Sequence, residues 1–170
     1  MSLRRLKLDV IDLFQLHRID PKVPLEDQVG ELKKLQDEGK IRHIGISEQS
    51  VDEVKQSQKV VDVVSVQNMF NLSDRGHEDV LEYCESEGIA FIPWFPLATG
   101  KLVGEGSALS EASDRHGVSP AQLALAWVLH RSSAMLPIPG TSKVAHLEDN
   151  MKAATVELTD DEFKELENAV

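Results

Sequence analysis

The run Val10-Ile11-Asp12-Leu13-Phe14-Gln15-Leu16-His17-Arg18 decides the fold-class prediction for this chain. Five of its first seven residues are apolar, and most of them are branched or aromatic, which predicts a buried strand. The strand ends at His17. In parallel α/β proteins ligands bind at the carboxyl ends of strands, so His17 is a candidate functional residue. Asp12 lies inside the strand and is interpreted as structural.

Segments typical of strands alternate with segments typical of helices along the rest of the chain. Four further strands are predicted, at residues 41–46, 60–66, 89–93 and 135–138. The clearest helix start is Ser119-Pro120-Ala121-Gln122, where Ser is the N-cap, Pro is at N1 and Gln completes a capping box. The alternation predicts right-handed crossovers and a parallel sheet.

Two architectures accommodate five β/α units in 170 residues. One is an open, doubly wound sheet, and the other is part of an eight-stranded barrel, whose full length is about 250 residues or more. Residues 2–8 have the pattern of the last turns of an amphipathic helix with nothing before it, which favours the barrel. No composition shift marks a domain boundary, so residues 1–170 are assigned to a single domain.

Composition and charge exclude several classes of function. The chain has 29 acidic and 18 basic residues and a formal net charge of −11, which disfavours nucleic acid and anionic membranes as partners. No apolar run approaches the roughly 20 residues of a membrane span. The single cysteine, Cys84, excludes an internal disulfide framework and is predicted to be a buried thiol. We therefore expect a cytoplasmic protein.

Polar or aromatic residues lie at the carboxyl ends of all five predicted strands. In chain order they are His17, Ser47, Gln67 with Asn68, Trp94, and the turn Gly140-Thr141-Ser142-Lys143. Each has an ordinary explanation, such as a helix cap or a rim hydrophobe, but together they favour a cofactor site. Amides and hydroxyls can hold a carboxamide, an indole can stack on a heteroaromatic ring, and the turn can hold phosphate. Lys143, His146 and Asn150 share one side of the following helix and suit a phosphorylated ribose.

Other common site motifs are absent from the sequence. No GxGxxG follows a predicted strand, and Ala98-Thr99-Gly100-Lys101 lacks the leading glycine and the following Ser or Thr of a P-loop. The CxxC, HExxH and GxSxG motifs do not occur, and the six histidines have no metal-ligand spacing. A Rossmann, P-loop or metal site is therefore not expected.

Six segments together resemble one enzyme family. They are VIDLFQLHR (10–18), LEDQVGELKKLQDEGKIRHIGIS (25–47), VVSVQN (63–68), IPWFPLATGKL (92–102), SPAQLALAWVL (119–129) and LPIPGTSKVAHLEDN (136–150). They are similar to the carboxyl-terminal half of an aldo/keto reductase, over about residues 2–158. The resemblance implies a TIM-type (β/α)8 barrel, of which this chain supplies the last five β/α units, strands 4 to 8.

The resemblance also implies roles for individual residues. His17 would be the histidine of the family's Asp, Tyr, Lys and His tetrad, which reduces aldehydes and ketones with NADPH. Ser47 and Gln67 match residues that hold the nicotinamide carboxamide, and Trp94 takes the place of the stacking aromatic. Two further residues lie along the pyrophosphate path, Leu97 and Thr99. Four match the adenosine-phosphate grip: Thr141, Ser142, His146 and Asn150.

Three departures from the family pattern affect the expected activity. Glu48 stands where many members have Asn, and His146 stands where many have Arg, so NAD(H) is an alternative to NADP(H) as the cofactor. The strands that bring the tetrad Asp, Tyr and Lys are not in this chain. Its single tyrosine, Tyr83, is predicted to lie on a crossover helix.

The predicted function is NADP(H)-dependent reduction of a small aldehyde or ketone, by a truncated chain that is inactive alone. The outer strands of an incomplete barrel would expose unpaired backbone and apolar surface, so self-association or pairing with the missing amino-terminal half is expected. The alternatives are a non-catalytic half-barrel that binds nucleotide or self-associates, and an incomplete product that folds poorly.

Overall fold

The protein is described by a computed structural model, which covers residues 1–98 and 109–169. The described residues form four strands and eight α-helices. They group into two compact units. The first consists of Met1–Asn68 and Asp79–Phe91, and the second of Met69–Glu78 and Ile92–Val170.

The first unit contains a parallel sheet whose strands alternate with helices. Its elements are α1 (Ser2–Leu6), β1 (Ile11–Leu16), α2 (Leu25–Asp37), β2 (Ile41–Ser47), α3 (Val51–Gln58), β3 (Val63–Gln67), nearly all of α4 (Glu78–Glu87), and β4 (Ala90–Phe91). The strands pair in the order β1-β2-β3-β4, and every pairing is parallel. The predicted alternation and the predicted parallel sheet are confirmed for these strands.

The core of the first unit is formed by branched side chains of the sheet and the apolar faces of the helices. Ile44, Ile46 and Val66 of β2 and β3 are fully buried, which is typical of strands in a parallel sheet. The helices contribute further buried side chains: Val29, Leu32, Val54, Val80, Leu81 and Cys84. The central strands are therefore fixed by apolar packing, and this positions the residues at their ends.

β1 is less buried than its apolar sequence predicts. Ile11 is its one buried residue, and Leu13 is 39% exposed. The reason is topological, because β1 lies at the edge of the described sheet with β2 as its neighbour. The prediction of a buried strand is wrong, and the prediction of an outer strand with exposed apolar surface is confirmed.

The Cys84 thiol should be unreactive in the folded chain. It is fully buried on α4, and burial raises its pKa to about 12, so it stays protonated at physiological pH. We expect iodoacetamide at pH 8 to leave the folded chain unmodified and to alkylate it in guanidinium chloride, as measured by intact mass. Rapid labelling of the folded chain would contradict this assignment.

The second unit is helical in its described part. It contains α5 (Ser110–His116), α6 (Pro120–Arg131), α7 (Val144–Lys152), a 3-10 turn (Ala153–Thr155) and α8 (Asp160–Asn168). The capping box predicted for α6 is confirmed, since the Gln122 N–H donates to Ser119 Oγ at 3.2 Å and the Ser119 N–H donates to Gln122 Oε1 at 2.9 Å. Within residues 1–98 and 109–169, no helix has the length and apolar character needed to cross a bilayer.

Residues 135–138, predicted as a fifth strand, form no strand in the described part of the chain, and Met135 alone of the four is in a β-bridge. Pro137 cannot donate a backbone hydrogen bond. The Ile138 N–H donates to the Pro93 carbonyl at 3.5 Å, which is a long contact. Leu136 is 58% exposed, so this segment keeps the exposed apolar surface that was predicted for it.

An aromatic stack forms the centre of the second unit. The fully buried Trp127 of α6 lies between two phenylalanines. Its ring centroid is 6.1 Å from that of Phe70, at an interplanar angle of 11°, and 5.3 Å from that of Phe163, at 3°. The indole Nε1 is buried without a hydrogen-bond partner among the described residues. The stack therefore joins the segment Met69–Glu78, which contains Phe70, and α8 to α6.

Candidate functional site

Three of the predicted site residues lie at one edge of the first unit's sheet. The register pairs Leu16 with Ile46 and Ser47 with Gln67. Ser47 and Gln67 therefore end neighbouring strands at the same level. His17 follows β1 directly and is exposed. The carboxyl edge of β1, β2 and β3 thus carries an imidazole, a hydroxyl and an amide.

The Ser47 hydroxyl is buried and has a defined direction. It donates to the Gln67 backbone carbonyl at 2.7 Å, and the Glu48 N–H donates to the same carbonyl at 3.0 Å. Because its proton is used in this bond, the Ser47 oxygen offers lone pairs to a ligand N–H. A carboxamide NH2 is a donor of the matching kind.

The side chain of Gln67 is part of a polar bridge across the sheet. Gln15 Nε2 donates to Gln67 Oε1 at 2.9 Å, and Ser65 Oγ donates to Gln15 Oε1 at 3.1 Å. No role is predicted for Gln15 or Ser65 from the sequence. The available signal was one further polar residue in each strand, Gln15 next to the end of β1 and Ser65 in the middle of β3.

Glu48 follows β2 in a strained backbone conformation. Its φ is 57°, in the left-handed region, where an L residue is disfavoured by about 1–2 kcal/mol and Asn is better tolerated than Glu. Arg18 Nη2 lies 4.0 Å from its carboxylate. The position at which the family resemblance expects Asn is therefore also one where the backbone favours Asn.

Substituting Glu48→Asn should stabilise the chain. We expect the free energy of unfolding to rise by about 0.5–1 kcal/mol, because Asn tolerates the left-handed conformation. Urea denaturation of both proteins measures the difference. The matched control is Glu48→Gln, which removes the charge and keeps the backbone cost. Equal stability of the Asn and Gln variants would show that backbone strain is not the cause.

Asn68, which was grouped with the strand-end residues, holds a loop in this structure. Its Nδ2 donates to the Gln49 carbonyl at 2.7 Å, and its Oδ1 accepts the Gln49 N–H at 3.1 Å. Gln49 Nε2 in turn donates to the Ser47 carbonyl at 2.9 Å. All three residues are buried. These bonds fix the connection from β2 to α3 and hold Ser47 in place.

Trp94 and Leu97 lie in the second unit, and both are half-buried. The Trp94 carbonyl accepts the Phe70 N–H at 3.3 Å. The centroid of the Trp94 ring lies 5.8 Å from that of the Phe95 ring. Phe95 has a φ of 63°, in the left-handed region. Strained residues of this kind cluster at ligand clamps. Thr99, predicted on the pyrophosphate path, lies outside the described residues.

The predicted phosphate turn immediately precedes α7. Thr141 Oγ1 accepts the Lys143 N–H at 3.1 Å, which closes a short turn before the helix. The first turn of α7 contains no acidic residue, and Thr141, Ser142 and Lys143 are exposed. An exposed helix start of this composition favours an anion.

His146 and Asn150 lie one turn apart on α7, as predicted. The helix is anchored by Asp149, whose carboxylate accepts Ser119 Oγ–H at 2.9 Å and Gln122 Nε2–H at 2.9 Å. The two residues that cap α6 therefore also hold α7. This anchor could not be predicted from the sequence, because an aspartate within a helix gives no sign of its distant partners.

Tyr83 lies on α4, as predicted, and not at a strand end. Its hydroxyl donates to Gln58 Oε1 at 2.6 Å, and Lys55 Nζ lies 5.0 Å from the ring centroid. The pKa of the Tyr83 phenol is raised, mainly by burial and to a smaller extent by the Glu87 carboxylate. A proton donor that works near neutral pH needs the opposite shift.

The model of the Aldo/keto reductase family matches residues 1–170. The chain belongs to the aldo/keto reductase family. An uncharacterized oxidoreductase of Schizosaccharomyces pombe is 56% identical to this aldo/keto reductase chain over 167 residues, which are 98% of the chain and 55% of the relative. A Glycine max protein named "Probable aldo-keto reductase 1" is 34% identical over 199 residues, with coverage of 99% and 58%. The chain thus spans little more than half the length of these relatives.

Solved structures of aldo/keto reductases share the fold. The Klebsiella pneumoniae aldo-keto reductase in complex with NADPH has a TM-score of 0.88 and 30% identity, over 98% of this chain and 61% of that one. The glycerol dehydrogenase of Gluconobacter oxydans has a TM-score of 0.92 and 26% identity, over 99% and 61%. The predicted fold class, an α/β part of a (β/α)8 barrel, is confirmed, and so is the family.

Proposed function

We propose that this chain is the cofactor-binding, histidine-bearing part of an NADP(H)-dependent oxidoreductase that reduces a small aldehyde or ketone. The observation that carries the proposal is the shared sheet edge of His17, Ser47 and Gln67. The NADPH complex of the Klebsiella pneumoniae relative supports the choice of cofactor. Residues 1–170 would belong to a single barrel domain in a cytoplasmic protein.

The residues of the first unit suit the nicotinamide end of the cofactor. The Ser47 oxygen would accept an N–H from the carboxamide, and the Gln67 amide, half-buried beside it, would offer a second polar contact. When bound, the nicotinamide supplies a hydride for a carbonyl carbon. His17 is exposed at the end of β1, where its ring N–H can orient the carbonyl oxygen.

The residues of the second unit suit the face of an aromatic ring and the phosphate groups of a dinucleotide. The indole of Trp94 would stack on the nicotinamide ring. Leu97 and Thr99 would follow the pyrophosphate. The exposed start of α7 would hold the adenosine phosphate, with Thr141, Ser142, His146 and Asn150 as its contacts.

His146 gives the test of cofactor choice. We expect the purified chain to bind NADPH in a fluorescence titration, and His146→Arg to lower the Kd for NADPH by about tenfold, because a guanidinium pairs with phosphate in a bidentate manner. The Kd for NADH should stay unchanged, since NADH lacks the extra phosphate. His43→Arg adds the same charge at an exposed position of β2 and is the matched control. No binding of either nucleotide, or equal effects of the two variants, would count against the proposal.

A second proposal is that the chain self-associates or pairs with the missing amino-terminal half, because several of its apolar residues are exposed. Leu13 of the edge strand β1 is exposed, and α7 presents Val144, Leu147 and Met151 to solvent. Exposed apolar patches of this kind often mark sites of interaction with another protein. Analytical ultracentrifugation across a hundredfold concentration range would detect self-association.

A further inference from the structure

We infer that Gln15 is a positioning residue that fixes the side-chain amide of Gln67 towards the nicotinamide carboxamide, and that Gly45 permits this contact. The inference rests on the proposed function, because the proposed role of Gln67 gives the positioning its purpose. Gln15, Gly45, Ser65 and Gln67 all belong to the first unit.

The contact between Gln15 and Gln67 spans a whole intervening strand. Gln15 lies on β1 and Gln67 on β3, and β2 runs between them. Adjacent strands are about 4.8 Å apart, so these two backbones are separated by roughly twice that distance. Gln15 Nε2 nevertheless donates to Gln67 Oε1 at 2.9 Å. The Gln15 side chain must therefore cross the face of β2.

Gly45 is the residue of β2 over which that side chain crosses. The register places Gly45 opposite Gln15 on one side and opposite Ser65 on the other. A Cβ added at Gly45 would lie 2.8 Å from Gln15 Cγ and 2.3 Å from Ser65 Oγ. Both distances are too short for a side chain to be accommodated without displacing its neighbours. The absence of a side chain at this position keeps the bridge open.

Ser65 fixes the other end of the Gln15 amide. Its buried hydroxyl donates to Gln15 Oε1 at 3.1 Å, while Gln15 Nε2 donates to Gln67. The terminal torsion of a glutamine is otherwise broadly distributed. With one of its polar atoms held by Gln15, the Gln67 amide is ordered before any ligand arrives, and less rotamer freedom is lost on binding.

Side-chain amide dynamics test the positioning directly. The variant Gln15→Met keeps the length of the side chain and removes the bridge. The matched control is Gln36→Met, because Gln36 is a glutamine of α2 that donates to the Arg42 carbonyl at 2.7 Å, away from the bridge. Nitrogen-15 relaxation should show an ordered Gln67 side-chain amide in the wild type and in the control, and a mobile one in Gln15→Met and in Gly45→Ala. An equally ordered Gln67 amide in Gln15→Met would overturn the inference.

Nucleotide affinity tests the consequence for binding. We expect Gln15→Met to raise the Kd for NADP+ by about three- to tenfold, the value of one hydrogen bond, and to leave the Kd for adenosine 2′,5′-bisphosphate unchanged, because that probe lacks nicotinamide. A rise of the same size for both probes would mean that Gln15 acts only on the fold, and would overturn the inference. If the wild type binds neither probe, the proposed function fails, while the relaxation measurement still decides whether Gln15 holds Gln67.

Discussion

The 170-residue chain alone should not oxidise NADPH with an aldehyde, and supplying the tetrad partners should raise turnover by at least about a hundredfold. Tyr83 is the chain's one tyrosine, and it lies on α4 with its hydroxyl bonded to Gln58. A general acid contributes about 10²–10⁴-fold to such a reaction, so a carbonyl oriented by His17, as proposed, would be reduced that much more slowly without one.

A fusion protein provides the measurement. The amino-terminal part of a full-length aldo/keto reductase, which by the family resemblance carries the tetrad Asp, Tyr and Lys, would be joined ahead of residue 1. NADPH oxidation would be followed at 340 nm with a panel of aldehydes. The control is the same fusion with the donor segment's tetrad tyrosine changed to phenylalanine. Within the active fusion, His17→Ala should lower kcat. Steady turnover by the unfused chain would refute this account of the reaction.

Trp127→Ala should cost about 3–5 kcal/mol of unfolding free energy, the largest stability loss that we expect from a single side chain. The indole is fully buried between Phe70 and Phe163. Its removal leaves a cavity between two rings that α6, α8 and the Phe70 segment hold apart. Urea unfolding followed by far-UV circular dichroism measures the loss without relying on the deleted fluorophore.

Two variants separate packing from other causes of that loss. Trp127→Phe keeps a ring in the stack and removes an N–H that has no partner among the described residues, so it should cost less than about 1.5 kcal/mol. Leu136→Ala changes an exposed side chain of the same unit and should shift stability by less than about 0.5 kcal/mol. A cost of Trp127→Ala below that of Trp127→Phe would rule out the stack as a source of stability.

Local sequence signals predicted the features that depend on neighbouring residues. The capping box at Ser119, the alternation of strands and helices, and the placement of Ser47 and Gln67 at strand ends all follow from patterns of a few residues. Each of these patterns depends only on residues that are close in sequence. Parallel pairing of the strands then brings their carboxyl ends to one edge of the sheet.

Features that depend on distant partners were beyond the sequence. The apolar run of β1 indicates a strand, but its burial depends on whether a second neighbour covers it. The bond between Gln15 and Gln67 joins residues 52 positions apart, and it exists because the register places a glycine between them. Residues 135–138 were predicted as a strand from hydrophobicity, and the missing donor at Pro137 outweighed that pattern.

The shared role of Ser119 and Gln122 has a thermodynamic consequence. The same two side chains begin α6 and hold Asp149 of α7, so fraying at the start of α6 would also break these hydrogen bonds to the helix that carries the proposed phosphate contacts. Linkage then works in both directions, and a ligand held on α7 must slow amide hydrogen exchange in the first turn of α6. As the temperature rises, the affinity of α7 for the adenosine end of the nucleotide should therefore fall before the whole chain unfolds.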